Sequence, residues 1–249
     1  MRIRKFIFKQ IREEKKYLPR KILLGVFLIK NILLCILAMP SIILIRLIRP
    51  IVLLRWGNMS SNRIGHFAAN TELYLCERDA GINKPKCCHI DIFYMGFEPI
   101  CNFQLAKMWK KHLRIVPAWF MSPIAMANGI IPGGKIHEIA NTQSDRDVHN
   151  LFDKFPPHLK FTDEEKAFGD SGLRKIGIPA GALFVCLIVR DSTYLDRHQS
   201  GDWSYHNYRD TDIQNYVLAA EELANRGYFV IRMGVHVDKA MESRNTRII

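Results

Sequence analysis

The 249-residue chain carries 36 Lys+Arg against 24 Asp+Glu, a net charge of +12. The excess is local: residues 1–63 hold 14 basic groups and only two acids, Glu13 and Glu14, while residues 64–249 hold 22 of each sign. A nucleic-acid-binding domain would show its basic patch on the folded body, so no nucleic-acid partner is expected and contact with anionic membrane lipids gains.

The basic end flows into an apolar stretch, Ile22–Ile45, broken by Lys30-Asn31 and Pro40-Ser41. Its 24 residues are enough to cross a hydrocarbon core of roughly 30 Å. Lys30 is costly near the centre of a span, by about 2.5–3.5 kcal/mol. Arg20 and Lys21 before it, and Arg46, Arg49 and Arg55 after it, favour keeping both flanks on the cytoplasmic side. The reading is an interfacial or re-entrant anchor held by Lys/Arg on anionic lipid, with a single span as the alternative. A cleaved signal peptide fits poorly, because the positive region is long and no small-residue cleavage site stands before Arg46. A buried helix of the α/β body is a third option.

From Pro50 onward short apolar runs alternate with helical stretches. Ile51–Arg55 reads as a strand, Gly57–Asn62 as a turn-rich loop, and Arg63–Leu75 as a helix with Ile64, Phe67, Ala68 and Leu75 on one side. Ile90–Met95 is a second strand, Ile100–His112 a helix and Leu113–Phe120 a third strand. This alternation implies βαβ units and a parallel sheet. Residues 121–160, interrupted by Pro123, Gly129, Pro132, Gly133-Gly134 and Pro156-Pro157, read as a loop-rich joint with one short helix at Asp145–Phe155. Thr162 and Glu165 form a capping box for a helix to Ile176, closed by Gly177 and Pro179. Ala182–Val189 is a buried strand ending on Arg190-Asp191. Thr211 and Gln214 suggest another capping box, followed by an apolar stripe of Ile213, Tyr216, Val217, Ala220, Leu223 and Ala224. Gly227 suits a C′ position and Tyr228–Met233 a last strand.

The six cysteines form no CxxC pair, and Cys87-Cys88-His89 lacks partners at zinc-site spacing. Buried reduced thiols are expected, with neither metal nor disulfide. Asp91 reads as a charge at a strand edge, with a strand-end acid as the alternative.

Arg55-Trp56-Gly57, then Arg63-Ile64-Gly65-His66 with Asn70-Thr71-Glu72-Leu73-Tyr74-Leu75, resemble the opening of a family of bacterial glycosyltransferases. The second half of that family resembles VCLIVRDSTYL (185–195), YHNYRDTDIQNY (205–216) and GYFVIRMG (227–234), in the same order. The likeness covers most of residues 45–240. It implies a GT-B architecture, two Rossmann-like domains with a sugar nucleotide bound in the cleft between them. The Arg190 strand is also distantly similar to the His-x-Arg strand of the fucosyltransferase group, with Ile188 where that group has His.

Glycosyl transfer needs a group to stabilise the departing phosphate and a base for the acceptor hydroxyl. Arg190 at a strand end suits a diphosphate, since its fork binds two oxygens. Arg209, ahead of a helix start, supplies a second charge; Arg63 and Gly65 join the donor-phosphate set at the first turn of their helix. His66 is the candidate general base and Glu72 the second catalytic candidate. For Arg190 the structural alternative is an ion pair with Asp191 or Asp212; for His66 it is a capping loop with a satisfied imidazole.

The expected organisation is therefore a basic, apolar anchor (1–49), a Rossmann-like acceptor-side domain (50–160) and the start of a nucleotide-sugar domain (161–249). That last domain is expected to be incomplete, with an open sheet edge. The expected activity is sugar transfer from a nucleotide-sugar donor to a glycan or lipid-linked acceptor at the cytoplasmic face of the inner membrane, without metal or other cofactor. The rival is a non-catalytic, membrane-tethered binding protein.

Overall fold

Two compact units make up the chain, the first ending at Lys160 and the second running Phe161–Ile249. A computed structural model describes residues 25, 26, 28–139, 146–198 and 202–249. The basic residues 2–21 lie outside the described residues, as does the Asp145 start expected for the short helix.

The first unit opens with α1 (Leu28–Ile48), a helix of 21 residues that is long and apolar enough to cross a membrane. It runs through Pro40 without a break. The unit then follows β1 (Leu53–Met59), α2 (Ile64–Asp79), β2 (His89–Met95), α3 (Phe103–His112), β3 (Ile115–Val116), α4 (Ala118–Ile130) and α5 (Leu151–Lys154). The three strands are parallel, in the order β1-β2-β3. β1 starts later than the expected Ile51 and continues into the expected loop as far as Met59. The reason is register: Leu53–Met59 pairs residue for residue with His89–Met95. Gly57 pairs with Phe93 within the strand, and a Cβ there would stand 2.9 Å from the Phe93 ring.

Alternation along these strands sends side chains to two cores. Met59, Phe93 and Met95 pack with Phe67 and Leu75 of α2 and with Ala106 and Trp109 of α3. On the other face Trp56 packs with Ala38 and Ile42 of α1 and with Met121, Ile124 and Ala127 of α4. Leu113–Phe120 was expected as one strand; only Ile115–Val116 pairs, and Pro117 at the N-cap then starts α4. The proline at 123, expected to break the chain, is accommodated inside that helix. It removes one N–H from the ladder, a loss offset by burial of the Met121, Ile124 and Ala127 side of the helix. Beyond α4, His137 stacks on Trp56 (5.4 Å) and Ile139 N–H donates to Trp56 O, so this segment lines the outer edge of β1. The short helix expected at Asp145–Phe155 is one turn, α5, whose N–H groups at Leu151 and Phe152 donate to the two Asp147 oxygens at 2.8 Å.

The second unit contains α6 (Asp163–Lys175), β4 (Phe184–Ile188), α7 (Thr193–His198), α8 (Val217–Asn225) and β5 (Phe229–Met233), with β4 and β5 parallel. The Thr162–Glu165 capping box forms in both directions, and Gly177 follows at φ +89°. The second expected capping box does not form. Asp212, one residue closer to the turn, accepts from Gln214 N–H instead and caps a single 3₁₀ turn, Ile213–Tyr216, before α8 begins. Gly227 takes φ +95° after α8, as a C′ glycine does. The final residues return to the sheet: Val230 N–H donates to Arg247 O, Ile249 N–H to Val230 O and Arg232 N–H to Ile249 O. An open sheet edge was expected in this unit; on the β5 side that edge is covered by Arg247–Ile249.

The cysteines are free, but burial holds only for Cys76; Cys87, Cys88 and Cys186 are exposed. Cys87 and Cys88 precede β2 outside both cores, and Cys186 lies on the open face of β4.

Candidate functional site

In open parallel α/β sheets, ligands collect at the carboxyl ends of the strands, where loops are free to carry chemistry. In the first unit that end is a cleft of about 430 Å³, lined among others by Asn58, Ser60, Asn62, Tyr94, Glu98 and Ser122. Asn58 and Tyr94 face each other across β1 and β2, and the two loops that follow these strands supply Ser60–Asn62 and Gly96–Glu98. Asn62 Nδ2 donates to Glu98 Oε2, tying the loops together. Ser61 O accepts from Cys101 N–H at 2.9 Å, which holds the second loop down.

The cleft lining ends at Asn62, and α2 begins directly beyond it. Arg63 is the N-cap residue, without a side-chain capping bond, and no acidic residue stands in the first turn. Gly65 is exposed, and a Cβ there would meet nothing within 4 Å, so packing of this chain does not require a glycine. His66 is half-buried, its Nδ1 3.4 Å from Asn70 Nδ2 one turn on. Arg63, Gly65 and His66 are thus brought together at one helix start, where first-turn N–H groups and the dipole favour an anion.

Glu72 is not part of that group. It lies six residues along α2, about 9 Å at 1.5 Å per residue. Its Oε1 accepts from both the backbone N–H and the Nδ1 of His158, each at 2.9 Å, while His158 Nε2 lies 2.9 Å from Asp79 Oδ2. Burial disfavours the His158 cation, but hydrogen bonds to Asp79 and Glu72 outweigh it and raise its pKa. Asp79 is shifted down, with the His158 hydrogen bond as the main cause. The Cys76 thiol completes a trio with Glu72 and His158, their donor atoms within 4.8 Å of one another. Burial, with nearby carboxylates, pushes that thiol up to about 11. A thiol shifted that way stays protonated near neutral pH, beside an imidazole whose pKa is raised by its bonds to Asp79 and Glu72.

Asp91 is neither a strand-end acid nor an edge charge. It sits within β2 opposite Arg55 of β1, and the two form a bidentate pair: Nε to Oδ1 at 2.8 Å and Nη2 to Oδ2 at 2.6 Å. Tyr74 of α2 donates to the same Oδ2 at 2.6 Å, and Arg55 Nη1 donates to Asn83 O. Both side chains are about nine-tenths buried. Burial opposes the Asp91 anion, yet the bonds from Arg55 and Tyr74 win and hold its pKa below the usual carboxylate value. Burial and Asp91 together push the Tyr74 hydroxyl well above its ordinary range. This is a structural clamp between two strands and a helix.

In the second unit Arg190 follows β4 at its carboxyl end. Its Nε lies 3.2 Å from Asp210 Oδ1, with the Arg190 side chain one-third exposed, and its carbonyl accepts from Thr211 N–H. The partner is Asp210; the structural alternative read from sequence for Arg190 was an ion pair with Asp191 or Asp212. Asp191 instead accepts from Thr193 N–H, Asp238 N–H and Arg232 Nη2. Asp212 pairs with Lys239 at 2.9 Å. Arg209 is exposed and donates from Nε to the Tyr208 hydroxyl at 2.8 Å, with its guanidinium 5.2 Å from that ring. The 209–211 segment therefore lies along Arg190, with the two guanidinium groups on different partners.

Comparison with protein-family models, with curated proteins and with solved structures finds no match for this chain. Sequence reading did not place Glu98, Tyr94 or Ser122 at a site, and Asn62, an N-cap candidate by sequence, lines the cleft while Arg63 takes the N-cap position. The signal was present: Gly96-Phe97-Glu98-Pro99 directly follows a strand, as a ligand-bearing loop would.

Proposed function

We propose that the chain is a membrane-associated glycosyltransferase of GT-B type. Its second unit would bind the diphosphate of a nucleotide-sugar donor and its first a glycan or lipid-linked acceptor, at the cytoplasmic face of the inner membrane. The observation that carries this reading is the placement of polar and charged residues at strand carboxyl ends in both parallel units: Asn58 at the end of β1 with Ser60–His66 after it, and Arg190 after β4. Arg190 would release Asp210 and take two phosphate oxygens, the exchange its partial exposure permits. Arg209 would add charge by leaving Tyr208, with Arg63 and the first-turn N–H groups at Gly65 a second anion contact. His66 stands beside the cleft as the acceptor base. Glu72 would act through His158 and the position of α2, not on the reacting atoms.

A second reading, a non-catalytic tethered binding protein, is favoured by one observation: Arg190 and Glu72 already have partners inside the fold. A thermal-shift panel of UDP-, GDP- and CMP-linked sugars separates the two. The transferase reading expects at least one donor to raise the melting temperature of the unmodified chain, with the shift lost in Arg190→Ala and partly kept in Arg190→Lys. A shift that Arg190→Ala leaves intact would remove Arg190 from the phosphate site. No shift with any donor supports the binding protein.

A further inference from the structure

α4 is a surface helix without a single charged residue, AWFMSPIAMANGI. An ordinary surface helix turns a polar face to water; one that is apolar all round is buried in protein or in lipid. Met121, Ile124 and Ala127 account for its protein-facing side. The other side is left with Trp119 and Ile130, 71% and 74% exposed.

α1 lies on the same face of the sheet. Cys35, Ala38, Met39, Ile42 and Ile45 pack into the cluster shared with α4 and Trp56, and Leu37, Leu44 and Leu47 stay exposed. Arg46 locks the helix ends together, donating to Pro132 O at 2.9 Å, Ile131 O at 3.3 Å and Asn128 Oδ1 at 3.1 Å. Asn128 is fully buried and donates in turn to Gly134 O, where a Cβ would collide with Asn128 O at 2.3 Å. The junction is therefore rigid, and the α1 segment from Cys35 to Ile45 is committed to the first unit.

That commitment bears on how α1 meets a membrane. The apolar sequence ahead of Cys35 starts at Ile22, 13 residues. Even fully helical these would cover about 20 Å, short of a hydrocarbon core of about 30 Å. A crossing α1 would have to pull α4 and its share of the sheet face into the bilayer. Lying in the interface requires neither, and it lets Lys30 and Arg49, both exposed, reach headgroups. Aromatic rings such as Trp119 favour that depth.

We propose that α4 is a second membrane-contacting element. With α1 it forms one apolar face on which the first unit sits on the bilayer surface. The occupant is lipid, because the exposed side of α4 adjoins that of the helix already long and apolar enough for a membrane. The proposal rests on the membrane association of α1, and the test separates the two. The full chain is mixed with phosphatidylcholine–phosphatidylglycerol vesicles, with and without brominated acyl chains, and Trp fluorescence is followed. The expected result, in a Trp203→Phe background because Trp203 of the second unit is only half-buried, is quenching that disappears on adding Trp119→Phe, since Trp56 and Trp109 are buried in protein. Trp119→Glu with Ile130→Glu, both at exposed sites, should weaken vesicle partition by about tenfold with the denaturation midpoint unchanged. Vesicle binding with unchanged quenching in Trp119→Phe and unchanged partition in the double variant overturns the role of α4 and leaves the α1 anchor standing. No vesicle binding by the unmodified chain overturns both.

Discussion

The first unit buries its sheet on both faces, with α2 and α3 on one side and α1 and α4 on the other. The second leaves Phe184 and Ile188 of β4 43% and 79% exposed, and α6 buries none of its residues. Charge follows the same divide. Arg55–Asp91 is sealed between two strands and a helix, whereas Arg190–Asp210 stays within reach of solvent. A sealed bidentate pair cannot trade partners without unfolding its surroundings, so it serves the fold. A partly exposed pair can exchange one anion for another, so it is the one suited to a ligand.

If that contrast is right, Asp91→Ala should be the most damaging single change, costing about 3–5 kcal/mol because Arg55 is left buried without its partner. Urea denaturation checks it, and a loss below about 1 kcal/mol would mean that the pair is not sealed. Arg190→Ala, by contrast, should leave the midpoint nearly unmoved.

Removal of Arg244–Ile249 should cost the second unit about 2–3 kcal/mol, since three backbone bonds at the β5 edge are lost. It should also promote association through that edge, visible as a concentration-dependent species in sedimentation. A monomeric, equally stable variant would show that the tail is ornamental.

The His158 tie should contribute about 1–2 kcal/mol, and its pH dependence has a definite sign. Because its pKa is raised in the fold, the contribution is complete below the ordinary value of about 6.5 and is lost as pH rises through the raised value. Asp79, shifted down, contributes above its ordinary value of about 3.9 and loses that as pH falls. Denaturation midpoints of the first unit should therefore decline on the alkaline side, and His158→Ala should flatten the decline. An identical slope in the variant would assign the dependence elsewhere.

A cost of about 1 kcal/mol is expected at Thr162→Ala from loss of the capping bond, above only the near-zero change at Arg190→Ala. Helicity of α6 by amide exchange is the sensitive readout, because no residue of that helix is buried.

Sequence periodicity alone determined the alternation of parallel strands and helices, the Thr162 cap, Gly177 and Gly227 at helix ends, and an apolar N-terminal helix. These are local matters, decided by backbone conformation and by which side of an element is apolar. It also pointed to Arg63, Gly65, His66 and Glu72 on one helix; the first three stay together because a helix start holds its first turn together in sequence, and Glu72 does not join them. Only the tertiary structure decided what long-range partners decide. Arg55 and Asp91 meet because parallel register sets residues 36 apart side by side. Glu72 turns to His158, 86 residues away, and Arg190 to Asp210. Pro123 stays within a helix because the energy of burying α4 against Trp56 and α1 outweighs one missing backbone bond, a balance that no local pattern contains.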